Sequence, residues 1–117
     1  MQLPNNIMTD SMTIMAWVRT DKVQDWARLF DFGVDTNNYF FYSPSNGRVE
    51  SCVNGVKDTM DTTSFVNTGI WEHYAVTRTA NHVQLYRNGE LVSEADCKNA
   101  VTGITEKSNY IGNHITP

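Results

Sequence analysis

An all-β fold is predicted for this chain by three observations. Short runs alternate apolar and polar residues, turn residues punctuate them at intervals near ten, and no segment carries a convincing helical period. That spacing is the one expected of a two-sheet sandwich or a barrel. At 117 residues, 40% hydrophobic and 11% aromatic, the chain makes one domain, residues 1–117, able to build a core without metal or disulfides.

The clearest strand is SMTIMAWVRT, where Met12, Ile14, Ala16 and Val18 share one face and Thr13, Met15, Trp17 and Arg19 the other. Bulk on both faces predicts a central strand, one side in the core and the other lining a groove. ARLFDFG, stopped by Gly33, and NNYFFYSP, stopped by Pro44, are the next two, joined by the loop VDTNN. GRVESCVNG sets Val49, Ser51 and Val53 against Arg48, Glu50 and Cys52 and ends in the turn pair Asn54-Gly55. The polar stretch Val56 to Gly69 is expected to be a loop with a short edge strand around Ser64 to Val66. WEHYAVTRT sets Trp71, His73, Ala75 and Thr77 against Glu72, Tyr74, Val76 and Arg78. HVQLYRNGELVSE is a hairpin about Asn88-Gly89, and SNYIGN is the last readable strand.

Composition narrows the function. Nine Lys and Arg against 13 Asp and Glu give a net charge of −4, and the basic residues are scattered singly, so no phosphate-tracking stripe forms and nucleic acid is not the expected partner. No run approaches the roughly 18 to 20 apolar residues of a membrane span, and Met1 to Asp10 lacks signal-peptide order, so no membrane insertion is expected. Cys52 and Cys97 allow one disulfide, two free thiols or intermolecular bridges. Buried thiols are preferred, because a core of this size stands without a staple.

Taken together and in order, SMTIMAWVRT, RLFDFG with NNYFFYSP, GIWEHYAVTRT, VQLYRNGELV and NYIGN resemble the laminin G-like domains of the concanavalin A-like lectin and glucanase group, with pentraxin-like relatives. The resemblance covers roughly Leu3 to Asn113. It implies a two-sheet antiparallel jelly-roll sandwich, an extracellular or cell-surface setting, and a binding module for carbohydrate or a glycosylated surface. The family's first strand is cut short here and its last is absent. Unpaired edges would follow, so the expectation is either a homo-oligomer that pairs them or a fragment of a longer domain, and an assembly module pairing through strand edges is the second functional expectation.

By the same resemblance, Asp35, Asn37 and Asn38 occupy part of a pentraxin-type calcium site. The matching acidic residues after the Ile-Gly pair are replaced by Asn113, His114 and Thr116, which leaves few of the six to eight oxygens that calcium takes. The competing account is that Asp35, Asn37 and Asn38 simply build the turn. A sugar site needs aromatic faces beside planar polar groups. The candidate ligand-binding set is Trp26, Arg28, Tyr39, Asn113 and His114; Trp17 and Trp71 are assigned to the core because they sit in the strongest strand patterns.

Catalysis is not expected. Glycan-hydrolysing relatives use clustered carboxylates, whereas Glu50 stands alone on its strand, Glu72 has no acid at i+2 or i+4, and Asp31 has aromatic or small neighbours. These three are expected to be rim charges or salt-bridge partners. No nucleophile elbow, zinc signature or phosphate loop is present, and His73, His82 and His114 lack a second ligand at metal spacing.

Overall fold

The computed structural model describes residues 2–3, 11–22, 27–62, 68–103 and 108–111. Its strands in chain order are β1 (Gln2–Leu3), β2 (Met12–Arg19), β3 (Phe30–Asp35), β4 (Asn38–Ser43), β5 (Arg48–Val53), β6 (Val56–Asp61), β7 (Trp71–Arg78), β8 (His82–Arg87), β9 (Glu90–Asp96) and β10 (Ser108–Ile111). They form two antiparallel sheets. One has six strands in the order β1-β10-β3-β4-β5-β6, the other four in the order β2-β7-β8-β9. The expected sandwich is therefore present, and β1 pairs with β10.

Strand alternation decides which side chains enter the core. In the six-stranded sheet Phe30 lies opposite Tyr42 and Phe32 opposite Phe40, so four rings point inward from two adjacent strands. Val49, Val53 and Met60 continue that layer across β5 and β6, and Tyr74, Val76, Val83 and Leu85 close it from the other sheet. Phe30 meets Phe40 edge-on at 4.9 Å, and Tyr42 reaches across to Tyr74 at 5.8 Å.

Two hairpins turn where Asn-Gly pairs were expected to place them. Asn54 and Gly55 have φ of 50° and 80°, Asn88 and Gly89 52° and 83°, the left-handed pair that a type I′ turn requires. The polar stretch after Gly55 opens with β6, an edge strand earlier than the one expected at Ser64 to Val66; that segment lies outside the described residues.

Charge also enters the sandwich. β7 turns Glu72, Tyr74, Val76 and Arg78 inward, and Arg78 is only 1% exposed. Its guanidinium donates to Ser51 Oγ on β5 at 3.2 Å, to the Asn99 carbonyl at 2.7 Å and to the Thr79 carbonyl, with Asp58 at 3.9 Å. Asp58 in turn accepts the backbone N–H groups of Lys98 and Asn99 at 2.8 and 3.2 Å. At the far end of β7, Arg87 Nε donates to Glu72 at 2.5 Å. A buried cation must have its donors filled, and this one ties both sheets to the segment after β9.

Candidate functional site

The face of the six-stranded sheet turned away from the core is polar and ordered in rows. Antiparallel register sets Asp31, Phe41, Glu50 and Thr59 side by side across β3 to β6, and Gly33, Tyr39, Cys52 and Lys57 in the next row. Each except Lys57 lies one position from a core residue on its strand, so alternation sends it outward.

This face is sheltered in its middle and open at one side. Asp31 and Glu50 are 4% and 6% exposed, and Phe41 and Cys52 are buried with them, although none points into the core. Toward β6 the row opens through half-buried Tyr39 and Arg48 to exposed Lys57, Thr59 and Asp61. The result is a floor with a rim.

Each charge on the floor has a partner. Arg28 Nη1 donates to Asp31 at 3.1 Å while its guanidinium lies 3.7 Å from the Phe41 ring centroid. Glu50 accepts from the Tyr39 hydroxyl at 2.5 Å and from Thr59 Oγ1 at 2.6 Å, with Arg48 Nη1 at 3.9 Å. Arg48 forks onto Asp61 at 2.7 and 3.1 Å, which holds the Asp61 carboxyl below its usual range. Burial first, then the Glu50 carboxylate, push the Tyr39 phenol well above its ordinary value, so it remains a proton donor. The Tyr39 and Phe41 rings lie 5.7 Å apart, tilted by 30°.

Of the candidates taken from sequence, the fold brings Arg28 and Tyr39 onto this one face. Trp26, Asn113 and His114 lie outside the described residues. Asp35, Asn37 and Asn38 flank the tight turn between β3 and β4 and are engaged in it. Asp35 Oδ1 accepts the Asn37 N–H at 2.8 Å and lies 3.5 Å from Asn38 Nδ2, and Asn38 Oδ1 accepts the Asn54 N–H at 3.0 Å. That stitches the β3–β4 turn to the β5–β6 turn. The Asp35 carboxylate and the Asn38 amide thus build the turn, with Asn37 joined through its backbone, and among the described residues no group of three or more His, Cys, Asp or Glu could hold a metal.

Trp17 and Trp71 correct an expectation. Both point to solvent from the four-stranded sheet, 65% and 63% exposed, because the inward positions of β2 and β7 are the alternate ones. Trp17 packs edge-on against His73 at 5.2 Å. Asp31, Glu50 and Glu72 are salt-bridge partners as expected, of Arg28, Arg48 and Arg87, and are buried and not at the rim. Sequence analysis missed Phe41, Glu50 and Thr59 as one constellation. The alternation in GRVESCVNG did put Glu50 and Arg48 opposite the core, but their neighbours come from other strands. Both cysteines are free, with Cys52 on this face and Cys97 packed against the core.

The floor's two carboxylates share a row, with Phe41 between them. At two strand spacings their backbones are about 9.5 Å apart. Each carboxylate is tied to its own partners, which fixes the direction of its acceptor oxygens.

The chain is similar in fold to sugar-binding proteins of known structure. Domain 4 of AbnA, a GH43 extracellular arabinanase from Geobacillus stearothermophilus, in complex with arabinotriose, superposes with a TM-score of 0.76 at 22% identity, over 95% of this chain and 56% of that one. The CBM40 of a Ruminococcus gnavus IT-sialidase, bound to α2,3-sialyllactose, gives 0.69 at 18% identity, over 87% and 63%. The carbohydrate-binding module CBM66 from Bacillus subtilis gives 0.58 at 12%, over 92% and 71%. This chain thus spans less than two thirds of the first two. No curated protein matches it in sequence. The family model described as the concanavalin A-like lectin/glucanases superfamily, of laminin G type, matches residues 1–116, and the chain belongs to that superfamily.

Proposed function

We propose that this chain is a non-catalytic carbohydrate-binding module whose ligand lies along the outer face of the six-stranded sheet. The observation that carries the reading is the row Asp31, Phe41, Glu50 and Thr59 with Arg28 and Tyr39. Its planar polar groups are held in fixed directions beside an aromatic surface and away from the core, the combination that sugar hydroxyls and ring faces require. Preorganised donors and acceptors limit the ordering cost of binding. The acidic and basic side chains of the face balance: Arg28, Arg48 and Lys57 against Asp31, Glu50 and Asp61. A neutral oligosaccharide suits that balance better than a polyanion. The carbohydrate-binding modules of the same fold support the class of ligand.

The test is calorimetry on an oligosaccharide panel that includes arabinotriose and α2,3-sialyllactose, run with calcium and again with a chelator. Saturable binding that survives chelation and is lost in Glu50→Gln supports the proposal. Absence of binding to every sugar would overturn the carbohydrate reading, and binding indifferent to Glu50→Gln would move the site elsewhere.

A further inference from the structure

We propose, resting on the carbohydrate reading above, that the site takes the terminal residue of a saccharide chain and is closed to chain interiors by Arg28. Recognition of an interior residue needs a groove that the ligand leaves at both ends. The row Asp31, Phe41, Glu50 and Thr59 instead grades from covered to open: its first three members are buried, and Thr59 on β6 is exposed.

The covered side is a wall with identifiable parts. The Arg28 guanidinium lies 3.7 Å over the centroid of the Phe41 ring and donates to Asp31, and its side chain is only 9% exposed. It therefore occupies the ring face on which a sugar would stack. One row along, Ser43 is fully buried although alternation points it away from the core. Its hydroxyl donates to the Ala27 carbonyl at 3.1 Å and to Asn46 Oδ1 at 3.0 Å. The segment before β3 and the short turn Pro44–Asn46 thus lie against the outer side of β4.

The open part is small. Of the two rings described on this face Phe41 is buried and only Tyr39 is half-exposed, so a single sugar ring finds a stacking partner. Tyr39 on β4 is separated from Lys57 on β6 by two strand spacings, about 9.5 Å. Within that span the Tyr39 and Thr59 hydroxyls both donate to Glu50 and keep lone pairs that accept from sugar hydroxyls. Along the strands Arg48, forked onto Asp61 and 3.9 Å from Glu50, crosses β5 and β6 on one flank. A ring seated on Tyr39 has Arg28 and Phe41 behind it and Arg48 at its side, and its chain leads out over exposed Lys57 and Thr59. An interior residue carries chain on two sides, and one of them would meet the wall.

Calorimetry tests this with saccharides of two, three and six residues built from arabinose, xylose, glucose and galactose, together with the matching linear polymers. In each series whose binding is lost in Glu50→Gln, affinity per molecule should change by less than about twofold from three residues to six. The polymer should carry a fixed number of modules per chain however long it is. In Arg28→Ala, confirmed as folded by circular dichroism, the Phe41 face opens and affinity should begin to rise with length. Wild-type affinity that climbs about tenfold over the same range, or modules bound in proportion to polymer length, would overturn chain-end recognition and leave the carbohydrate reading standing. A folded Arg28→Ala with an unchanged length profile would overturn Arg28 as the wall. Absence of binding to all of these sugars would overturn both readings.

Discussion

The Tyr39 hydroxyl on β4 donates to the Glu50 carboxylate on the neighbouring strand β5 across 2.5 Å, and Thr59 on β6 donates to the other oxygen of the same group. Three strands thus converge on one buried acceptor. Tyr39→Phe leaves that charge short of a donor while keeping the ring. Stability is expected to fall by about 1–3 kcal/mol, the worth of a hydrogen bond to a charged group. Sugar affinity is expected to fall at least about tenfold, some 1.4 kcal/mol. Urea denaturation and calorimetry on the same variant measure the two effects separately, and the Tyr39→Phe, Glu50→Gln double-mutant cycle isolates the pair.

Arg78 is expected to be the most sensitive polar position in the sandwich. Arg78→Met fills similar volume but abandons Ser51, the Asn99 carbonyl and the Thr79 carbonyl in the interior. Loss of a buried cation with this many acceptors costs about 3 kcal/mol or more. The urea midpoint should drop accordingly, with an unchanged slope if the denatured state is unaffected. Arg78→Lys, which restores charge without the fork, should fall between the two.

Gly33 is required by its neighbour strand. A Cβ there would lie 2.8 Å from the Asn38 carbonyl oxygen and 3.0 Å from the Tyr39 Cα, both backbone atoms that cannot rotate away. Gly33→Ala is therefore expected to push β4 and displace Tyr39, destabilising by about 1–3 kcal/mol as overpacking does. Because Tyr39 carries the bond to Glu50, sugar affinity should decline with it, which calorimetry on the folded fraction would show.

His82 bridges Asp96 at 3.0 Å and Glu94 at 2.8 Å on the edge hairpin β8–β9. Asp96 first and Glu94 second raise its pKa above the ordinary 6.5. The folded-state value thus exceeds the unfolded one, so the clamp stabilises fully below pH 6.5 and its contribution disappears as pH rises through the raised value. Titration of the His82 ring by NMR should give a midpoint above 6.5. His82→Gln should flatten the pH dependence of the hairpin's amide exchange while leaving sugar binding on the opposite sheet unchanged.

Local pattern was enough for most of the strands. Period-two alternation in SMTIMAWVRT, GRVESCVNG and WEHYAVTRT assigned each residue to one of two faces, and Asn54-Gly55 and Asn88-Gly89 placed two hairpins, because both signals are carried by residues adjacent in the chain. β6 was less legible: VKDTMD has a single buried apolar residue, Met60, and its register is supplied by β5.

What sequence by itself determined is therefore the fold class, the strands with strong alternation, and the separation of Glu50 from Val49 and Val53 onto opposite faces of one strand. Which face was inside, and what met across it, only the tertiary structure decided. Trp17 and Trp71 were exchanged for Arg78 and Glu72 in the interior because alternation defines two faces without saying which one the second sheet covers. The row Asp31, Phe41, Glu50 and Thr59 is contributed by four strands, and its members meet only when hydrogen-bonded register sets those strands side by side. Cross-strand contact is a property of pairing, and pairing is a global free-energy minimum that no single segment encodes.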